Sequence, residues 1–278
     1  MNILVTGASG QLGSQVVEFL SKSFGGKIIA GSRSVEKLSH LKEREIEVRK
    51  VDFDDSSSTD EAFKGVDKLL IVSTDSLAVP GLRLKQHLNA IASAKKNNVK
   101  HIVYTSLSSA TDSPISFAPD HAGTEKALFD SGISYTILRN NWYFENLVQN
   151  LEPAKKSGTL TTATGEGKVG FVTREDCART AAAVLASDKF KNQIIEVTNT
   201  EAVSYAQIAQ ELGLKLVKIT NDQLQLGLKD HGLPGFVVDL VATYEKAVAT
   251  HKMSVTNNKI EEITGKKPVG LKQFLKSI

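Results

Sequence analysis

Gly7, Gly10 and Gly13 stand at three-residue spacing in VTGASGQLG, and that pattern is suited to holding a phosphate. A tight turn there calls for glycine torsions, and a phosphate pressed against the backbone leaves no room for a side chain. A helix starting at this point would add free N–H groups and the positive end of its dipole. The segment Gly7, Ala8, Ser9, Gly10, Gln11 and Leu12 is therefore the expected pyrophosphate cradle of a dinucleotide.

Which dinucleotide depends on the residues around Gly31-Ser32-Arg33-Ser34. An acid at that place would pair with both ribose hydroxyls of NAD. The sequence has none and offers Arg33, which can pair with a 2′-phosphate and stack on adenine, with Lys37 following. That favours NADPH over an ordinary surface arginine. Asp52 and Phe53 fall where the adenine edge is expected, although an aspartate there also suits a plain turn. Thr74 and Asp75 are expected at the pyrophosphate or ribose. Asn140 and Asn141, in RNNWYFEN (139–146), can satisfy a nicotinamide carboxamide or its ribose. Tyr143 and Phe144 could wall a flat aromatic pocket; Trp142 and Phe144 equally suit a core.

The elements that must carry these residues alternate. Apolar runs at 2–6, 27–32, 46–52, 67–73, 101–107 and 134–139 read as buried strands, with helical patterns between them. In LRLKQHLNAIASAKK (82–96), Leu82, Leu84, Leu88, Ile91 and Ala92 mark an expected apolar face. Pro119 and Asp120 open a helix over 119–131, which Gly132 ends. Repeated strand–helix–strand units with continuous apolar strands predict a Rossmann-like, doubly wound parallel α/β sheet. Residues 1–140 form the expected dinucleotide-binding core. Residues 141–278 are expected to complete the sheet, through REDCARTAAAVLAS and QIIEVTN, and to build a smaller α/β cap within a single overall domain.

Composition excludes several alternatives. The 278 residues carry 34 basic and 31 acidic side chains, a net charge of +3, without the basic stripe of a nucleic-acid binder. The opening MNILVTG lacks the layout of a signal peptide, and the apolar runs are shorter than a bilayer span. Cys177 alone cannot form an intramolecular disulfide and reads as a buried structural thiol. The six histidines show no metal-ligand spacing. A cytoplasmic protein without a metal is expected, not bound to membrane or nucleic acid.

TGASGQLG, HIVYTSL, HAGTEKAL, ILRNNWYFEN, FVTREDCARTAAAVL and ITGKKPVGLKQFL together resemble the NmrA-like, atypical branch of the short-chain dehydrogenase/reductase superfamily. The resemblance spans nearly the whole chain and is greatest to the NADPH:quinone oxidoreductase type 2 and triphenylmethane reductase group, to which SYTILRNNWYFEN is specific. Most members of the superfamily use a serine together with Tyr-x-x-x-Lys. Ser106 and Lys126 match the serine and the lysine, which the resemblance would place at the nicotinamide ribose. Ala122 stands where the tyrosine is expected and cannot transfer a proton. His121, next to it, is either a proton donor or a solvated residue in the first helical turn, and Lys126 also suits a surface ion pair with a nearby acid.

Loss of the tyrosine fits acceptors that need no strong acid as hydride arrives. The resemblance thus implies direct hydride transfer from NADPH, without flavin, to a quinone or dye-like planar electrophile. HGLPGFVVDL (231–240) resembles a flexible cap segment with Phe236 available to substrate. Dimers are common for such chains. A non-catalytic, NADP(H)-sensing regulator also lacks the tyrosine; the aromatic 139–146 segment favours the enzyme.

Overall fold

The computed structural model describes residues 1–278 apart from the side chain of Lys42. The strands are β1 (Asn2–Val5), β2 (Lys27–Ser32), β3 (Glu47–Lys50), β4 (Lys68–Ile71), β5 (His101–Leu107), β6 (Ser134–Asn140), β7 (Thr159–Thr162), β8 (Lys168–Val169), β9 (Gln193–Val197), β10 (Val203–Ser204) and β11 (Lys215–Lys218). The helices are α1 (Gln11–Ser23), α2 (Ser56–Ala62), α3 (Leu82–Lys96), α4 (Ala118–Ser131), α5 (Val148–Ser157), α6 (Arg174–Leu185), α7 (Tyr205–Leu212), α8 (Asn221–Asp230), α9 (Gly235–Ala249), α10 (Lys259–Thr264) and α11 (Leu271–Leu275). No described helix is long and apolar enough to cross a membrane.

Seven strands form one sheet in the order β3-β2-β1-β4-β5-β6-β9. β1 pairs in parallel with β2 and β4, β2 with β3, and β4 with β5. Ile3, Leu4, Val5, Leu69, Leu70 and Ile71 are fully buried, as a sheet covered on both faces requires. The strand order reverses between β1 and β4, and ligands of such sheets bind outside the strand ends at that reversal. The doubly wound fold expected from the apolar runs is the fold observed.

The chain separates into two compact units. The first contains Met1–Ser106, Asp120–Arg139 and Arg174–Ile195. In it α1 packs against α6; α1 buries Leu12, Val16, Val17 and Leu20, and α6 an alanine-rich face. The second contains Leu107–Pro119, Asn140–Thr173 and Glu196–Ile278. It has two small sheets, β10 antiparallel to β8 and β11 parallel to β7. Phe144 anchors its core, stacked on Phe171 and Phe274 with centroids 5.0 and 4.9 Å away. Trp142 stacks on Tyr244 at 4.1 Å.

Three buried histidines in the first unit, His87, His101 and His121, tie the fold to pH. His101 meets Ser134 Oγ through Nδ1 and Thr136 Oγ1 through Nε2, both at 3.0 Å. Burial, then the Lys68 charge, pushes its pKa from 6.5 down to about 4. Burial and Arg83 push His87 down to about 3. The unfolded chain therefore binds protons below pH 6.5 that the folded chain refuses, so this contribution is complete above pH 6.5 and declines as pH falls toward 4. Glu245, in the second unit, is raised by burial and acts in the opposite direction, so a variant is needed to isolate the histidines. The urea midpoint should fall between pH 7 and about pH 5, and His101→Gln should flatten that fall. An identical slope in the variant would remove His101 from the account.

Candidate functional site

A cleft of about 340 Å³ opens in the first unit beyond the carboxyl ends of β1 to β4. This volume lies in the usual range for small-ligand sites, about 300–1,000 Å³. Gly7 turns the chain with φ +61°, and a Cβ on Gly13 would lie 2.3 Å from the Gly7 carbonyl oxygen. No side chain fits at position 13 unless the backbone moves. Gly10 caps α1 without a side-chain hydrogen bond, and the first turn carries no acid. Its early N–H groups are thus left for a ligand.

Ser9 Oγ and Ser32 Oγ are 2.7 Å apart and tie the glycine turn to the end of β2. Ser32 Oγ also accepts from the Ser34 amide at 3.1 Å. Arg33 lines the cleft and pairs with Asp75 at 3.8 Å, the two side chains being 62% and 91% exposed. So open a pair leaves the guanidinium able to turn to another anion. Lys37 is exposed one turn later.

From β3, Val51, Asp52 and the buried Phe53 supply a mixed polar and apolar wall. After β4 come Val72, Ser73, Thr74 and Asp75. Neighbouring groups hold the backbone of this loop: Thr6 Oγ1 accepts from Val72 N, Thr105 Oγ1 from Ser73 N and His87 Nε2 from Thr74 N. An Nε2 that accepts leaves the proton on Nδ1, which donates to Thr124 Oγ1 at 2.9 Å. Thr124 in turn donates to the Asp120 carbonyl. The imidazole is held in one tautomer, with its low pKa keeping it neutral.

Of the residues expected to hold cofactor, Gly7, Ser9, Gly10, Arg33, Asp52, Phe53, Thr74 and Asp75 line this one cleft. Ala8, Gln11 and Leu12 do not line it: Ala8 and Leu12 are buried, the Ala8 amide donates to the Gly31 carbonyl, and Gln11 is exposed at the start of α1. Thr6, Ser32, Val51, Val72, Ser73 and Gln86 also line it and were not singled out from sequence. The strand ends they occupy could have flagged all but Gln86. Gln86 is hidden because α3 buries Arg83, Gln86, His87, Ala90, Ile91, Ser93 and Ala94, whereas the leucine-based reading predicts another face. Leu88 is in fact 42% exposed. Polar residues occupy the inner face with Asp54 as partner for Gln86 Nε2 and with Thr74 and Thr124 as partners for the two His87 nitrogens.

The remaining expected residues lie elsewhere, several of them already engaged. Ser106 donates to Glu125 Oε1 at 2.6 Å. Arg139 grips the same carboxylate through Nε at 2.9 Å and Nη2 at 2.6 Å. Glu125 is only 1% exposed, and nothing in the sequence reading marked it. Lys126, its neighbour, points outward to an exposed i,i+4 ion pair with Asp130 at 2.5 Å, off the cleft. The surface-pair alternative describes this arrangement. His121 is not solvated: it is buried, with Tyr104 OH 2.7 Å from Nδ1, and burial, then Arg83, holds its pKa well below the usual histidine range. Ala122 is half-buried.

In the second unit, Asn141 donates to Thr198 Oγ1 and the Met253 carbonyl and accepts from Trp142 N. Both of its amide protons are thus engaged within the second unit, while Oδ1 accepts one bond. Phe144, 1% exposed between two phenylalanines, is core and not a pocket wall. Asn140 donates to Tyr143 OH at 3.1 Å, and its buried Oδ1 lacks a partner. Tyr143 is half-buried, and Phe236 is 43% exposed near the start of α9. Cys177 is buried, and no cluster able to hold a metal occurs among the described residues.

A family model described as NAD(P)H-binding matches residues 7–188. Quinone oxidoreductase 2 of Escherichia coli (strain K12) is 38% identical over 247 residues, covering 86% of this chain and 85% of that protein. The crystal structure of the NADPH-dependent quinone oxidoreductase QOR2 from Escherichia coli, complexed with NADPH, superposes with a TM-score of 0.94 at 33% identity, covering 100% of this chain and 99% of that one. The Citrobacter sp. triphenylmethane reductase complexed with NADP(H) gives 0.91 at 33% identity, covering 99% of each chain.

Proposed function

The chain belongs to the NAD(P)H-binding family, and from that premise we propose that it is an NADPH-dependent reductase acting on a quinone or a similar planar electrophile. The observation that carries the reading is the cleft at the β1–β4 reversal, where a glycine turn meets an arginine and no acid at the end of β2. The residues present fit the dinucleotide. Gly7 and Gly10 leave a cradle clear of side chains, and Thr74 Oγ1 and Gln86 Oε1 are buried without partners beside it.

The early α1 amides of Gln11 and Leu12 would hold the pyrophosphate, since those of Ala8 and Gly10 donate to the Gly31 and Gly7 carbonyls, and Arg33 would pair with the 2′-phosphate. Thr74, fixed through its amide by His87, offers its hydroxyl to the ligand. When bound, the dinucleotide supplies a hydride. Ala122 has no proton to give, and a quinone requires none at that moment, because its reduced oxygen is a delocalised phenolate-type anion that water protonates. Within the second unit, Tyr143 and Phe236 are the proposed contacts for the flat acceptor. The reading includes cytoplasmic residence, consistent with one buried thiol, and a homodimer, a common assembly for such chains.

Purified protein with NADPH and a panel of quinones, beside a control without acceptor, tests the proposal. Acceptor-dependent loss of NADPH absorbance is expected. Tight NADPH binding with no turnover on any quinone or dye would overturn the catalytic reading in favour of a dinucleotide sensor.

A further inference from the structure

Gln86 lines the cleft but is only 2% exposed. Its Nε2 donates to Asp54 Oδ2 at 2.8 Å. A carboxylate can only accept, so this bond fixes which end of the amide faces Asp54. The other end, Oε1, is buried without a hydrogen-bond partner. A buried acceptor in that state is unfavourable until a donor reaches it, and here the side chain that carries it forms part of a ligand cleft.

The donor that satisfies it can be identified by elimination. Phosphate oxygens at pH 7 only accept, so the pyrophosphate and 2′-phosphate cannot pair with Oε1. The ribose falls to the β2 end, where Ser32 and Arg33 line the cleft. Gln86 lies on the β3 side, since Asp54 immediately follows Phe53. Asn89, on the same helix, donates to the Phe53 carbonyl at 2.9 Å and pins that turn to α3. Val51 and Phe53 provide an apolar wall for a flat base. Adenine and nicotinamide both combine a flat ring with an N–H donor; the 2′-phosphate belongs to the adenosine half, and with Arg33 lining the same cleft the ring that meets Val51, Phe53 and Gln86 is adenine, through its exocyclic amine.

We propose that Gln86 is the base-reading residue of the cleft: its Oε1 accepts from the adenine N6 amine, with Asp54 holding the amide in the accepting orientation. The inference rests on the dinucleotide reading above and adds selectivity for an amino-purine over an oxo-purine. Hypoxanthine presents a carbonyl at the same position, so two acceptors would face each other.

The test measures dissociation constants of NADPH and of its hypoxanthine analogue, followed by ligand fluorescence with no electron acceptor present. Wild type should prefer NADPH by at least about tenfold. Gln86→Met, which removes the acceptor while keeping the length, should bring the two ligands close to parity. Asp54→Ala changes an exposed side chain and frees the amide to turn its Nε2 toward a carbonyl, so it should narrow the preference while NADPH still binds. Parity in wild type would overturn the assignment, as would an undiminished preference in Gln86→Met. If Gln86→Met does not fold, wild type and Asp54→Ala decide the question: an undiminished preference in Asp54→Ala overturns the proposed orientation. NADPH binding without discrimination leaves the dinucleotide reading standing and removes Gln86. Failure of both ligands to bind overturns the two together.

Discussion

Glu125→Ala should lower the free energy of unfolding by about 3–5 kcal/mol, the range for removing one partner of a buried ion pair. Glu125 is 1% exposed and the Arg139 side chain 16% exposed. The carboxylate takes two bonds from the guanidinium and a third from Ser106. Truncation leaves Arg139 without this carboxylate in a site that water barely reaches, and leaves the Ser106 hydroxyl without its acceptor. Glu125→Gln keeps an oxygen for Ser106 and should lose less. Lys126→Ala, one residue further along, breaks only an exposed pair with Asp130 and should stay within about 0.5 kcal/mol of wild type. Urea denaturation of the three variants makes the comparison, and a loss below about 1 kcal/mol in Glu125→Ala would contradict the role given to the pair.

Arg33→Ala should act on binding and leave stability nearly unchanged. The pair it forms with Asp75 is open to solvent and contributes little to the fold. Against a 2′-phosphate, a charge-assisted contact is worth about 1.5–3 kcal/mol, so the NADPH dissociation constant should rise roughly 10- to 100-fold. NADH lacks that phosphate and should bind the variant about as well as wild type. The ratio of the two constants is the measurement, and an unchanged ratio would sink the assignment of Arg33.

The sheet and the glycine turn were legible because each leaves a local mark: continuous apolar runs for β1, β2, β4 and β5, and a spacing that only close backbone contact demands. α2 was not legible. Its sequence, SSSTDEA, has no apolar period and is set by Asp55, whose side chain accepts from Ser57 N and Ser58 N. α8 buries no residue at all, so no periodicity exists to read. Among functional residues, Arg33 could be found from its place at the end of a strand. Gln86, His87 and Glu125 could not, because a polar residue on an inward face looks like an error in pattern until its distant partners are known. Resemblance drew attention to Lys126, while the buried network runs through the residue beside it, about 100° around the helix.

The first unit is discontinuous along the chain, and this matters while the protein is being made. Its sheet lacks β9, and α1 lacks α6, until residues 174–197 have been added. Residues 140–173, which belong to the second unit, are translated in between. At roughly 5–20 residues per second that interval lasts about 2–7 s. Throughout it the nascent chain has α1 made but not yet the helix that packs against it. The residues lining the dinucleotide cleft are encoded within the first 86 residues, yet the helix that packs on α1, which the glycine turn opens, begins only at Arg174.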